Sequence, residues 1–413
     1  MAEFDPEKQR DFALDVVRQL RSAGYEAYWA GGCVRDRLLG RVPKDYDVAT
    51  NAIPPQIAEV FRRRKTLELG AAFGVITVLG PHGAGQIEVA TFREDSAYSD
   101  GRHPDSVTFT SAEHDAQRRD FTINGLFFDP LSEKVLDFVN GQEDLRAGIV
   151  RAIGEARQRF AEDKLRMLRA VRFAASLEYA IDAGTRSAIE EMASEIGVVS
   201  PERVTAELRL MLMHRHRATA IKLLAELGLL AQILPELVPE SSAWPPTLDA
   251  LRVLEQPTFP LALATLLHRE VSPPAVTEIS RRWRLSNREA QRTVWLVEQA
   301  GALDQAEEMP WPALQRILIH EGAAELLALE QARLTTGARP VVPIEFCRRL
   351  LEQPADELNP PALITGDDLI ELGIPRGNHY QQLLERVRDA QLLRSIRSRE
   401  EALALVWTLW AAK

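Results

Sequence analysis

Up to about residue 150 the apolar positions come in short runs, and from about residue 157 onward they recur every three or four residues. The first pattern predicts strands at Ala27 to Ala30, Tyr46 to Ala49, Gly74 to Leu79 and Gln86 to Ala90, rich in β-branched residues and separated by glycine, proline and polar turns. The second predicts amphipathic helices at Asp163 to Leu177, Ala206 to Met213 and Ala218 to Leu230. Proline-bearing breaks near Pro235 to Pro246, Pro273-Pro274, Pro340 to Pro343 and Pro354 to Pro361 divide the helical part into about three bundles. The fold class expected is therefore α+β: a small head with a mixed sheet over residues 1–150, then all-helical segments over 151–240, 241–340 and 341–413. No internal repeat or low-complexity tract interrupts that reading.

A chain of 413 residues is too long for one core, which agrees with several domains. Nothing near the N-terminus has the apolar centre of a signal peptide, and the most apolar helical stretch, near Leu223 to Leu234, is broken by Glu226. No membrane segment is expected. Cys33 and Cys347 are the only cysteines, which excludes a disulfide scaffold or a cysteine zinc site and fits a cytoplasmic, reducing location. The formal net charge of −10 argues against indiscriminate nucleic-acid binding. A local basic track remains compatible with it, because phosphate contacts act within a Debye length of roughly 8–10 Å.

The chemistry concentrates in three places. In Lys44-Asp45-Tyr46-Asp47, alternation on a strand puts both carboxylates on one face, where they can share a divalent cation such as Mg²⁺. Just upstream, Gly31-Gly32 separates a strand-like run from the helix-like run Val34 to Leu39, an arrangement that aims backbone N–H groups at an anion. Asp-x-Asp alone also marks solvated turns, but a phosphate cradle beside a carboxylate pair points to phosphoryl or nucleotidyl transfer. Glu88 alternates with Ile87 and Val89, and either faces the aspartates as a third carboxylate or faces solvent from an edge strand. In Arg118-Arg119-Asp120-Phe121-Thr122-Ile123-Asn124, guanidinium forks suit phosphate, Asp120 can buttress an arginine and Asn124 can satisfy backbone groups in a turn; such a run also occurs as a surface salt-bridge patch. In Glu162-Asp163-x-x-Arg166-x-x-Arg169-x-x-Arg172, a helix would carry Asp163 and three arginines as one polar stripe, offering the acceptor and donors that match the edge of a base. An exposed helix laced with ion pairs is the competing explanation. Pro201-Glu202-Arg203-Val204 with Glu207 either starts a helix after Ser200 or braces that stripe, and the helix start is favoured.

These segments, in this order over roughly residues 25 to 215, resemble the class II tRNA nucleotidyltransferase and bacterial poly(A) polymerase family, a branch of the polymerase-β-like nucleotidyltransferases. The resemblance implies a head, neck, body and tail, with Gly32 and Arg35 on the triphosphate, Asp45 and Asp47 on Mg²⁺, and Arg119 supporting the nucleotide. It further implies that Asp163 and Arg166 read cytosine or adenine, that Arg169 and Arg172 complete the pocket, and that Glu88 is the third catalytic carboxylate. The implied activity is addition of C, C and A from CTP and ATP to the 3′ end of tRNA. A-only addition, poly(A) synthesis, and a non-catalytic RNA-binding module on the same scaffold are the alternatives. Leu69 to Ile76 resembles the CCA-adding pattern more than that of the poly(A) enzymes, and Arg93 to Asp105 resembles the loop that CCA-adding and A-adding enzymes possess and CC-adding specialists lack. Arg269 stands after His268 where relatives with phosphohydrolase activity have a His-Asp dyad, so no such activity is expected and His268 is read as structural. Arg386, Arg388, Arg394, Arg397 and Arg399 are the tail's candidate tRNA contacts.

Overall fold

The computed structural model describes residues 5–62, 66–95, 107–337 and 339–411. Two compact units divide them, Met1–Pro239 with Arg282–Arg284, and Glu240–Arg281 with Leu285–Lys413.

The first unit is built on a seven-stranded sheet. Its strands are β1 (Ala27–Ala30), β2 (Asp47–Thr50), β3 (Thr66–Gly70), β4 (Val75–Leu79), β5 (Gln86–Thr91), β8 (Leu126–Asp129) and β9 (Lys134–Asp137), in the order β3-β4-β5-β2-β1-β8-β9. Only β2 and β5 run parallel, so the sheet is mixed, as the sequence predicts. A short hairpin, β6 (Arg93–Asp95) and β7 (Val107–Phe109), follows β5. The expected loop over Arg93 to Asp105 therefore contributes β6, and its remainder lies outside the described residues.

On one face of the sheet, α1 (Pro6–Ser22), α2 (Gly32–Leu38) and α3 (Pro54–Phe61) bury Val16, Leu20, Val34 and Ile57 against Trp29, Val48, Ile76, Val89 and Phe128. On the other, Ala112 and Ala116 of α4 (Ala112–Gln117) join Ala30, Ala49, Phe92 and Phe127. This double covering explains why sequence periodicity misses β8. Leu126 and Phe128 enter one core while Phe127 enters the other, so the strand has no polar face to alternate with.

After the sheet come α5 (Gly141–Ala147), the small parallel pair β10 (Ile149–Val150) and β11 (Ala180–Ile181), and helices α6 (Ala156–Glu162), α7 (Leu165–Leu177), α8 (Ala183–Met192), α9 (Pro201–Leu212), α10 (Arg217–Glu226) and α11 (Leu229–Ile233). Two helix expectations need correction. Asp163 is not on the helix with Arg166: its backbone is extended (φ −148°, ψ 103°), and its carboxylate accepts the Leu165 N–H at 3.1 Å. A short acidic side chain that satisfies an orphan amide at a helix start stops the preceding helix there. The expected helix from Ala218 to Leu230 is interrupted at Gly228, whose φ of 72° lies in the left-handed region that ends α10 and starts α11.

The second unit contains helices α12 to α22, running from Trp244 to Ala411. At the end of α13 (Phe259–Leu267), His268 shares a hydrogen bond with the Thr265 carbonyl at 3.0 Å, and burial, then Arg269, pushes its imidazole down to about 4. Among the described residues no helix is long and apolar enough to cross a membrane.

Candidate active site

Pairing of β2 begins at Asp47, opposite Ala30 at the last position of β1, so Asp45 lies just before the strand expected to carry both carboxylates. Tyr46 is buried against Trp29, with ring centres 4.8 Å apart. With Tyr46 turned inward, Asp45 and Asp47 both line a cleft of about 560 Å³. Glu88 is the partner of Asp47 across the parallel β2–β5 pair, outside the residues that line the cleft. Burial, then the charges of Asp45 and Glu88, pushes the Asp47 carboxyl up to about 6, with Arg119 opposing. Water reaches Asp47 at the cleft surface, while protein atoms and two like charges surround the rest of it.

Between β1 and α2 the chain turns at Gly31, whose φ of 72° suits glycine and whose place a Cβ could not share with Arg119 Nη1, 2.9 Å away. The Gly31 N–H donates to Leu126 O at 3.0 Å, which anchors the turn to β8. Gly31, Gly32 and Arg35 line the cleft, and the Arg35 guanidinium donates to Asn124 Oδ1 at 2.8 Å. Asn124 in turn donates to Asp120 Oδ1 at 3.1 Å. Its side chain thus bonds two other side chains rather than turn backbone. A side-chain amide carries an acceptor and two donors, enough to join an arginine to a carboxylate.

The stripe on α7 is held by partners from elsewhere. Arg169 pairs with Asp120 at 2.6 Å, and Arg172 with Glu207 at 2.6 Å. Burial alone would raise the Asp120 carboxyl, but Arg169, Asn124 and the Phe121 N–H hold it down to about 2. Arg166 donates to Glu162 at 2.8 Å and to the Arg159 and Arg118 carbonyls at 3.0 and 3.3 Å. Arg203 donates to Asp163 Oδ2 at 2.7 Å. Arg203 and Glu207 on α9 therefore brace the stripe through ion pairs, as well as belonging to the helix that opens at Pro201. Phe173 is the member that motif reading missed. It lines the cleft with the Arg35 and Arg172 guanidinium carbons 5.2 and 4.1 Å from its ring centre, and its only sequence signal was its place beside Arg172 on the helix.

The cleft brings together Asp45, Asp47, Gly32, Arg35, Arg119, Asp163, Arg166, Arg169 and Arg172. It gathers seven arginines against four aspartates, an excess of positive charge suited to a polyanion. Among the described residues, no group of three or more His, Cys, Asp or Glu side chains forms a ready-made metal cage. Two hard carboxylates beside an anion cradle nevertheless fit a divalent cation that completes its shell with water and substrate oxygens.

Residues 27–151 match the family described as "Poly A polymerase head domain", and residues 178–240 match "Probable RNA and SrmB- binding site of polymerase A". The chain is 34% identical over 400 residues to the CCA-adding enzyme of Geobacillus stearothermophilus, covering 94% of each chain. It is 33% identical over 399 residues to that of Leuconostoc mesenteroides, covering 95% of this chain and 94% of the relative. The crystal structure of the Bacillus stearothermophilus CCA-adding enzyme in complex with CTP superposes with a TM-score of 0.78 at 31% identity, covering 97% of both chains. The Thermotoga maritima CCA-adding enzyme complexed with tRNA shares the fold, with a TM-score of 0.66 at 21% identity and 97% and 95% coverage.

Proposed function

We infer, from the premise that this chain belongs to the CCA-adding enzyme family, that its cleft carries out template-independent addition of C, C and A to the 3′ end of tRNA. It is a nucleotidyltransferase that takes CTP and ATP in turn and releases pyrophosphate. The observation that carries this reading is the meeting, in one arginine-rich cleft, of the Asp45–Asp47 pair, the Gly31–Gly32 turn and the donor–acceptor set on and before α7.

In this reading Gly32, Arg35 and Arg119 hold the triphosphate, and Asn124 keeps the Arg35 fork aimed. Asp45 and Asp47 hold the divalent cation on which the family depends, and we assign it as Mg²⁺. When bound, that ion lowers the pKa of the primer hydroxyl and neutralises charge on the leaving pyrophosphate. Glu88, in register with Asp47, adds the third negative charge on this side of the sheet. Asp163 accepts from, and Arg166 donates to, the edge of the incoming base, so the protein performs the selection that a template strand performs elsewhere. Arg169 and Arg172 border that pocket, each held by a carboxylate. Residues 1–150 act as the catalytic head, 151–240 as the neck that carries the selecting helix, 241–340 as the body and 341–413 as a tRNA-contacting tail.

The test uses tRNA transcripts that end before CCA, after CC and after the complete CCA, with CTP and ATP supplied separately and together. Three additions to the first transcript and arrest on the third are expected. A added only to the CC-ended transcript would make it an A-adding specialist, long A tails a poly(A) polymerase, and no incorporation a scaffold without catalysis.

A further inference from the structure

Asp115, on α4, does not line the cleft, yet two residues that do depend on it. Its carboxylate is 1% exposed. Oδ1 accepts from Arg118 Nε at 2.8 Å and Nη2 at 2.7 Å, and Oδ2 accepts from Arg119 Nε at 3.2 Å and Nη2 at 3.1 Å. Oδ1 also accepts the Arg93 N–H, at 3.3 Å, where the β6–β7 hairpin begins. One buried carboxylate thus grips two guanidinium forks side-on and ties both to the β6–β7 hairpin.

That grip determines which way Arg119 faces. With Nε and Nη2 on Asp115, Nη1 reaches over the Gly31 turn, where it donates to Asn124 O at 3.4 Å and lies 2.9 Å from where a Gly31 Cβ would stand. The Phe127 ring supports the guanidinium, 4.9 Å away. From α6, Arg159 donates to the carbonyls of Arg118 and Arg119, at 2.8 Å for the latter, and steadies the backbone that carries both. Free rotation would let two adjacent arginines splay toward any nearby carboxylate, Asp45 and Asp47 included. A single buried anion behind them makes the forks point forward together.

We propose that Asp115 is a positioning residue for nucleotide binding, which orients Arg118 and Arg119 toward the triphosphate without touching substrate. This rests on the reading that Arg119 contacts the nucleotide.

The experiment compares full-length wild type, Asp115→Asn, Asp115→Glu, Arg119→Ala and the Asp115→Asn/Arg119→Ala double variant. It measures KM for CTP and for ATP, KM for tRNA, kcat, and the affinity for CTP without tRNA. For Asp115→Asn, kcat/KM for both nucleotides should fall roughly 10- to 100-fold, the scale of a misplaced binding group, while KM for tRNA stays within about twofold. Asp115→Glu, which keeps the charge but moves it by one methylene, should fall between wild type and Asp115→Asn. The double variant should lose less than the product of the two single losses, because Asp115 acts in part through Arg119. Equal losses toward nucleotide and tRNA, no loss, or losses that multiply in the double variant would overturn the positioning role. If Arg119→Ala itself leaves nucleotide affinity intact, the parent reading of Arg119 fails. If Arg119→Ala is impaired and Asp115→Asn is not, only the positioning role fails. Should Asp115→Asn not fold, Asp115→Glu decides between selective loss and equal or absent loss.

Discussion

Asp47 sits where a carboxylate is least comfortable without a cation, beside Asp45 and Glu88, and its carboxyl is pushed up to about 6. Asp45→Ala or Asp47→Ala should therefore lower nucleotide incorporation by at least about 100-fold, the scale on which a preorganised electrostatic group acts. Filter binding should show tRNA affinity unchanged; a parallel loss of tRNA binding would mean that the substitution damaged the fold instead. Chelation should abolish incorporation in wild type, and added Mg²⁺ should restore it. Asp163 and Arg166 were legible as a pair from spacing, but their present partners were not: Arg203 occupies one Asp163 oxygen, and Glu162 holds Arg166. Asp163→Ala or Arg166→Ala should relax the preference for CTP and ATP over GTP and UTP by about 10- to 100-fold, corresponding to the roughly 1–3 kcal/mol of a good base-edge contact. Unchanged misincorporation in both variants would remove these residues from base selection.

Secondary-structure elements meet around the cleft through charge rather than apolar packing alone. The Asp120–Arg169 pair fastens the turn after α4 to α7, and Glu207–Arg172 fastens α9 to the same helix. Asp120 titrates near 2 in the folded protein against an ordinary 3.8, so its contribution is fully present above about pH 4 and is lost as pH falls through 2. That contribution is on the order of 2 kcal/mol. Thermal melts of wild type and Asp120→Asn should thus differ most at neutral pH and converge toward pH 2; a constant gap would show that the lost stability is not electrostatic. Periodicity located α7 but extended it to Asp163, because a pattern of apolar positions does not register a side chain that caps its own neighbour. Motif spacing found the two arginines after α4 while overlooking Asp115, whose role depends on being buried beneath them.

Over the whole molecule, a chain of net charge −10 must hold polyanionic RNA through local cations. The structure divides the five arginines expected to contact tRNA in the tail. Arg388 is spent on Asn359 and the Pro360 carbonyl, and Arg399 on Asp368, whereas Arg386, Arg394 and Arg397 are exposed and form no ion pair among the described residues. Arg394→Ala or Arg397→Ala should each reduce the salt slope of tRNA binding by about 1 if the side chain meets a phosphate. Arg388→Ala and Arg399→Ala should lower thermal stability more than that slope, and the reverse ranking would reassign the contacts. The sequence by itself determined the α+β class, the mixed head followed by helices, and the residue types at each functional position, because periodicity and motif spacing are properties of covalent neighbours. Tertiary structure alone decided the partnerships. Asp120 and Arg169 are 49 residues apart, Asp163 and Arg203 40, and Arg172 and Glu207 35, and an ion pair across such distances exists only once packing of the sheet and helices has brought its two ends together.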